Sequence, residues 1–202
     1  ATQIVLKRSN PLIVGVTGSV GKSSFIYLLD SLVKDRFKVK TTFTGNSESG
    51  LPLEILGLRK FLRSNSALDW LKITITLPFI IFFSKLDFNV LIGELSIASL
   101  KPPKNMSYLL EFIKPSVGVF LSVAPTHTQQ IARDLNINVN STEQILKNIA
   151  MEKGKIVTLL DSSAYAVINI DSHYIRNLIP QIQAKLVTLG KNINADYRLL
   201  SY

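Results

Sequence analysis

The chain has 202 residues, 47% hydrophobic and 18% charged, enough for one large domain with a real core and too apolar for disorder. It has no cysteine and only two histidines, His127 and His173, which excludes disulfide scaffolds, Cys-ligated zinc and thiol catalysis and disfavours a multi-His metal cage. The net charge of +9 points to an anionic partner, a nucleotide, polyphosphate or membrane surface, whereas the scattered Lys and Arg, without an aromatic platform, speak against nucleic acid.

Short apolar runs alternate with helical patterns along the chain. Because the chain begins at Ala1, its native N-terminus is expected to lie upstream, and targeting signals are not readable from it. Leu12–Thr17 predicts a buried strand, and Phe25, Leu28, Leu29, Leu32 and Val33 give Lys22–Lys34 the period of a helix. Val39–Phe43 reads as a second strand, and Leu51–Leu62 as a helix with Pro52 in its first turn. Ile73 to Phe83 is the most apolar run, too short to span a bilayer and interrupted by Pro78. A core or cover helix is the favoured reading; the alternative is a peripheral membrane contact, with Trp70 and the basic residues Arg59, Lys60 and Arg63 just upstream. Further strands are expected at Val90–Leu95, Val117–Val123, Ala166–Asn169 and Lys185–Leu189. Helices are expected at Tyr108–Ile113, Thr142–Leu160 and Ser172–Ile179, the second capped by Ser141-Thr142-Glu143-Gln144 and the third closed by Pro180. Continuous apolar strands separated by helices predict an α/β fold with a mostly parallel sheet flanked by helices, like that of the P-loop NTPases.

The sharpest motif lies between the first strand and the first long helix. Thr17-Gly18-Ser19-Val20-Gly21-Lys22-Ser23-Ser24 has the glycines that let successive N–H groups curl around phosphate, at the positive end of a helix. Lys22 can reach the outer phosphates and the Ser23 hydroxyl a Mg²⁺ ion. A strict Walker A loop has Gly where Val16 stands, so this is a shorter variant. Glu94 ends an apolar strand on the edge where open parallel sheets bind ligands, and a carboxylate there would face the loop's metal. His127 follows the next strand onto the same edge, with a surface or capping role equally open. Asn169 and Asp171 end another strand and either read a base or ribose or cap the following helix. Lys153 reads as a solvated helix lysine, to which its residue type alone assigns no role.

These residues resemble the Mur ligases, ATP-dependent amide ligases of peptidoglycan precursor synthesis. The phosphate loop matches, and further blocks follow in family order. Gly45-Asn46-Ser47-Glu48-Ser49-Gly50-Leu51-Pro52-Leu53 is similar to the Asn-x-Glu-x-Gly-x-Pro-Leu block of the MurF type, which adds D-alanyl-D-alanine to a UDP-N-acetylmuramoyl tripeptide. Leu91–Leu95, Ile113–Val119, Glu152–Ile156, Val167–Asp171 and Asn194–Tyr197 resemble the remaining blocks. The resemblance implies a central ATP-binding domain over residues 1–202, without the N-terminal UDP-binding and C-terminal domains, in a cytoplasmic enzyme. It implies ATP and two Mg²⁺ ions as cofactors, and a UDP-N-acetylmuramoyl peptide and D-alanyl-D-alanine as partners. Carried over by position, Thr17 to Ser24 would hold the nucleotide, with Lys22 on the β and γ phosphates and Ser23 and Glu94 on one Mg²⁺. His127 would help hold the second ion, with Lys153 as the lysine that takes up CO₂ to become a carbamate. Asn169 and Asp171 would lie by the adenine, and Asn46 and Glu48 by the muramoyl substrate or γ-phosphate. The apolar Leu68–Phe83 stretch is an insertion in the family pattern. A folylpolyglutamate or cyanophycin type of ligase and a non-catalytic nucleotide-binding module stay open as alternatives.

Overall fold

The computed structural model describes residues 1–43, 50–62 and 66–200. In chain order its elements are α1 (Thr2–Ser9), β1 (Leu12–Thr17), α2 (Lys22–Val33), β2 (Val39–Thr42), α3 (Gly50–Ile55), α4 (Ala67–Phe83), β3 (Val90–Glu94) and α5 (Met106–Phe112). There follow β4 (Val117–Phe120), α6 (Thr128–Leu135), α7 (Thr142–Thr158), β5 (Tyr165–Asn169), α8 (His173–Arg176), β6 (Lys185–Gly190) and β7 (Tyr197–Arg198). The described strands form one seven-stranded sheet in the order β2-β3-β1-β4-β5-β6-β7, and every pairing is parallel. Parallel strands need crossovers, and the helices between them cover both faces, so β1 and β3 are apolar almost throughout and buried.

Two apolar clusters sandwich the sheet. Val14, Val16, Ile92 and Val119 pack with Ile26, Phe25 and Leu29 of α2 on one face. On the other, Ile13, Leu91, Leu95, Phe120 and Ile168 join Leu109 and Ile113 around α5, and Ile156 and Val157 of α7. Since β1 is central, its carboxyl end and the loop that follows are held on both flanks, by β3 and by β4.

Several expected boundaries shift for local reasons. The helix expected over Leu51–Leu62 stops at Ile55, because Gly57 takes the left-handed conformation (φ 67°) and Leu58 N–H returns to the Leu53 carbonyl at 2.8 Å. A 3₁₀ turn over Arg59–Phe61 resumes beyond it. The fourth strand ends at Phe120, since Leu121–Ala124 turns across the loop after β1. Ser141 stands at the N-cap of α7 but its side chain forms no capping bond; a complete capping box occurs instead on α4, between Ser66 and Asp69. The segment expected as one helix over Ser172–Ile179 splits into α8 and a 3₁₀ turn that contains Pro180. The short elements α1, α6 and β7 fall outside the expected set; α6 carries only Ile131 and Ala132 as buried residues.

β4 lies so close to α7 that a Cβ at Gly118 would stand 2.3 Å from the Ile156 carbonyl oxygen. Backbone cannot yield as a flexible side chain can. Gly118→Ala is expected to lower stability by about 2–4 kcal/mol in denaturant unfolding; an unchanged midpoint would show that α7 slides freely over the strand.

Candidate functional site

β1 ends at Thr17, whose hydroxyl is fully buried and donates to the Leu95 carbonyl at 2.7 Å. That bond ties the ends of β1 and β3 together and leaves the chain to turn through Gly18–Gly21. Gly21 is the N-cap of α2 and supplies no side-chain cap. The first N–H groups of α2 therefore have no intrahelical acceptor, and no acid sits in its first turn. Such an end favours an anion.

The register does the rest. Val16 of β1 lies opposite Glu94 of β3. Glu94, 5% exposed, accepts a hydrogen bond from the Ser23 hydroxyl at 2.8 Å and one from Ser96 at 3.4 Å. Lys22 Nζ stands 3.8 Å from the other side of this carboxylate, at Oε1. The Glu94 N–H itself is held by Thr42 Oγ1 of the outer strand, at 3.3 Å. Lysine, serine and carboxylate thus converge where the sequence expects phosphate and metal.

The loop is braced from β4. Ser122 Oγ accepts from Val20 N–H at 2.9 Å and donates to the Val20 carbonyl at 2.8 Å, while Ser19 N–H donates to the Ser122 carbonyl at 2.9 Å. Ser19 Oγ donates to the Ala124 carbonyl, accepts from its N–H, and accepts from Lys153 Nζ at 3.1 Å. The side chains of Thr17 and Ser19 are thus committed within the fold. Ser23 and Ser24 are exposed.

Lys153 departs most from the expectation of a solvated lysine: it is 4% exposed. Burial, and next the positive charge of Lys22, push its pKa from 10.5 down to about 8. A signal for this was present in the helix period. Positions 149, 150, 156 and 157, its neighbours one turn either way, are Ile, Ala, Ile and Val, so Lys153 sits in the middle of an apolar stripe. Glu152 turns elsewhere, accepting from Met106 N–H at 2.9 Å at the start of α5 and from Lys155 at 2.6 Å.

The remaining candidates are more dispersed. His127 is the N-cap of α6 in a left-handed conformation (φ 53°) and is exposed; its carbonyl accepts from Ile131 N–H, and its ring has no hydrogen-bond partner among the described residues. Asn169 ends β5 and Asp171 follows it, two strands or about 10 Å from β1. Asp171 does not cap α8, whose N-cap is Ser172; its carboxylate accepts from Lys191 and Asn192 N–H at 2.9 Å and braces the turn after β6. Asn169 Oδ1 accepts from Asp171 N–H at 3.0 Å. Asn46 and Glu48 lie outside the described residues. Sequence reasoning missed Ser122, Ser96 and Thr42, which become neighbours of the loop only through strand pairing.

A family profile, the Mur ligase middle domain, matches residues 16–201. The chain belongs to the Mur ligase family. Among solved structures it is similar to a MurF ligase from Thermotoga maritima in complex with ADP, at 21% identity and a TM-score of 0.65, over 95% of this chain and 35% of that one. MurF from Acinetobacter baumannii superposes with the same TM-score at 12% identity, over 95% of this chain and 34% of that one. A bifunctional folylpolyglutamate synthase/dihydrofolate synthase from Yersinia pestis follows at 16% identity and a TM-score of 0.51, over 93% of this chain and 47% of that one. The chain therefore spans about a third of the length of the MurF structures it matches. At these identities the likeness is one of fold, in agreement with the parallel α/β sheet.

The burial of Lys153 has a measurable cost. The folded amine loses its proton near pH 8 and the unfolded one near 10.5, so the unfolded chain binds the extra proton between these values and stability rises across that window. Lys153→Met removes the penalty. The variant is expected to be more stable than the parent by up to about 2–3 kcal/mol at pH 7, an advantage that fades by pH 10.5. Urea unfolding at both pH values measures it, and a pH-independent difference would contradict the assignment.

Proposed function

We propose that this domain is the ATP-binding centre of a MurF-type ligase, which activates a UDP-N-acetylmuramoyl peptide carboxylate as an acyl phosphate for attack by D-alanyl-D-alanine. The observation that carries the reading is the convergence of Ser23, Glu94 and Lys22 on a glycine-rich turn, beside an amine removed from water. Family membership and the fold shared with an ADP-bound MurF support it.

The donor set suits a hard cation. Among the described residues no group of three His, Asp or Glu could hold a metal ion. Magnesium beside a nucleotide requires less, since one or two protein oxygens suffice when phosphate and water complete the shell. Ser23 and Glu94 offer such oxygens, 2.8 Å apart. Mg²⁺ held there would offset the charge of the phosphates as two anions approach. A second ion is assigned to His127 and a carbamylated Lys153.

The residues of the chain have distinct tasks. The N-terminus of α2, from Gly21 to Ser24, binds phosphate oxygens, and Lys22 draws the γ-phosphoryl into line. The substrate carboxylate oxygen attacks the γ-phosphorus and ADP departs; the amine then attacks the acyl carbon, loses a proton and expels phosphate. Lys153, with its pKa near 8, is uncharged in roughly one molecule in ten at pH 7. That free base can form an N–C bond to CO₂ with release of a proton, turning a cation into an anionic oxygen ligand. Asn169 and Asp171 are assigned to the adenine end, and Asn46 and Glu48 to the muramoyl substrate. ATP as phosphoryl donor fits a cytoplasmic setting.

The UDP moiety and the amine substrate are assigned to flanking domains of the family, so residues 1–202 alone are expected to bind nucleotide and not to ligate. The Asn46–Leu53 block favours the muramoyl substrate over folate, and a substrate panel on the complete enzyme separates these. In calorimetric titration, Lys22→Ala is expected to weaken ATP binding by about 10- to 100-fold, the loss of a charged hydrogen bond to phosphate. Glu94→Gln is expected to abolish the Mg²⁺ dependence. Unchanged affinity in both variants would refute the site.

A further inference from the structure

The apolar run noted in the sequence forms the C-terminal two-thirds of α4, and the helix is only half covered. Ile73 is buried, and Leu77 and Ile80 pack with Leu53 and Leu58. On the opposite arc Leu68, Leu71, Ile75, Phe79, Phe82 and Phe83 face outward in an i, i+3, i+7, i+11, i+14, i+15 progression, with Phe82 and Phe83 72% and 79% exposed. Contiguous apolar area of this kind on a folded domain marks a contact surface.

The polar groups of α4 are satisfied from within. Arg8 of α1 donates to the carbonyls of Ile81 at 2.6 Å and Phe82 at 3.2 Å, and also to that of Ser84, so the last-turn carbonyls that ordinarily seek water are closed by protein. The Thr74 and Thr76 hydroxyls donate to the carbonyls one turn back, at 2.9 and 2.7 Å. The first turn is closed by the Ser66–Asp69 capping box, which takes up the helix's one acid, Asp69, at 7% exposure. The sole charge on the outward arc is Lys72, whose long stem can carry its ammonium to the rim.

Charge decides between occupants. Residues 59–85 contain Arg59, Lys60, Arg63, Lys72 and Lys85 against the single acid Asp69, with Arg59 paired to Glu54 at 3.6 Å. A second copy of the chain would set these cations against their like, whereas an anionic bilayer attracts them. The helix has 17 residues, about 25 Å, and no described helix is long and apolar enough to cross a membrane. We propose that α4 lies in the plane of an anionic lipid surface, its outward phenylalanines embedded among the acyl chains and the ammonium groups of Lys60, Lys72 and Lys85 on the headgroups. The proposal stands apart from the nucleotide chemistry, which occupies the carboxyl edge of the sheet.

Co-sedimentation of the full chain with phosphatidylcholine vesicles, with and without phosphatidylglycerol, tests it. Binding is expected only with the anionic lipid, falling as salt is raised. The triple variant Phe79→Ser, Phe82→Ser, Phe83→Ser is expected to reduce the bound fraction about tenfold or more. Lys85→Glu should weaken binding through charge alone, and Lys22→Ala should leave it unchanged. These side chains are exposed, so an unaltered melting profile certifies the folded variants. Failure to sediment with anionic vesicles, or equal sedimentation of the triple variant, overturns the proposal. Self-association in sedimentation velocity that the same variant abolishes, with no lipid binding, would assign the face to a second copy and equally overturn it.

Discussion

The parallel pairing of β1 with β3 is the constraint on which the rest of the site depends. Because Val16 stands opposite Glu94, the carboxylate emerges beside the turn into α2, within 2.8 Å of Ser23. A slip of one residue would carry Glu94 to the other face of the sheet. What prevents the slip is apolar: Val14, Val16 and Ile92 are locked against Ile26, so the charged cluster is positioned by packing and not by its own attractions. That division of labour lets an acid and a lysine be held close together at a fixed spacing.

Much of this was legible along the chain. β1, β3 and the loop between β1 and α2 follow from apolar runs broken by a Gly-x-x-Gly-Lys turn, and Glu94 stood out as an acid at the end of an otherwise apolar strand. Contacts made through strand neighbours were not legible. Ser122 is an unremarked serine until β4 pairs with β1 and lays its exit across Val20. Lys153 was misjudged by residue type, although its apolar neighbours one turn away marked the buried side of α7. The helix expected through Leu62 ended early at a single glycine, and the cap expected at Ser141 was absent because pattern alone does not fix a side-chain rotamer.

The two buried ionisable residues of the site, Glu94 and Lys153, are handled differently. Glu94 is buried with hydroxyl donors and a lysine nearby, so its charge is matched. Lys153 is buried with a hydroxyl as its hydrogen-bond partner and with a second cation in range, so its charge is not. Stability is thereby sacrificed for an amine whose proton is easily shed. The Ser19 hydroxyl, held by the backbone of Ala124, draws this amine toward the glycine-rich loop after β1.

The double engagement of Val20 by Ser122 also bears on the entropy of capture. One hydroxyl fixes both the amide and the carbonyl at the crown of the loop, so its curl is set during folding. Under the proposed function, a polyanion would meet an already rigid cradle and need not freeze a floppy segment as it docks.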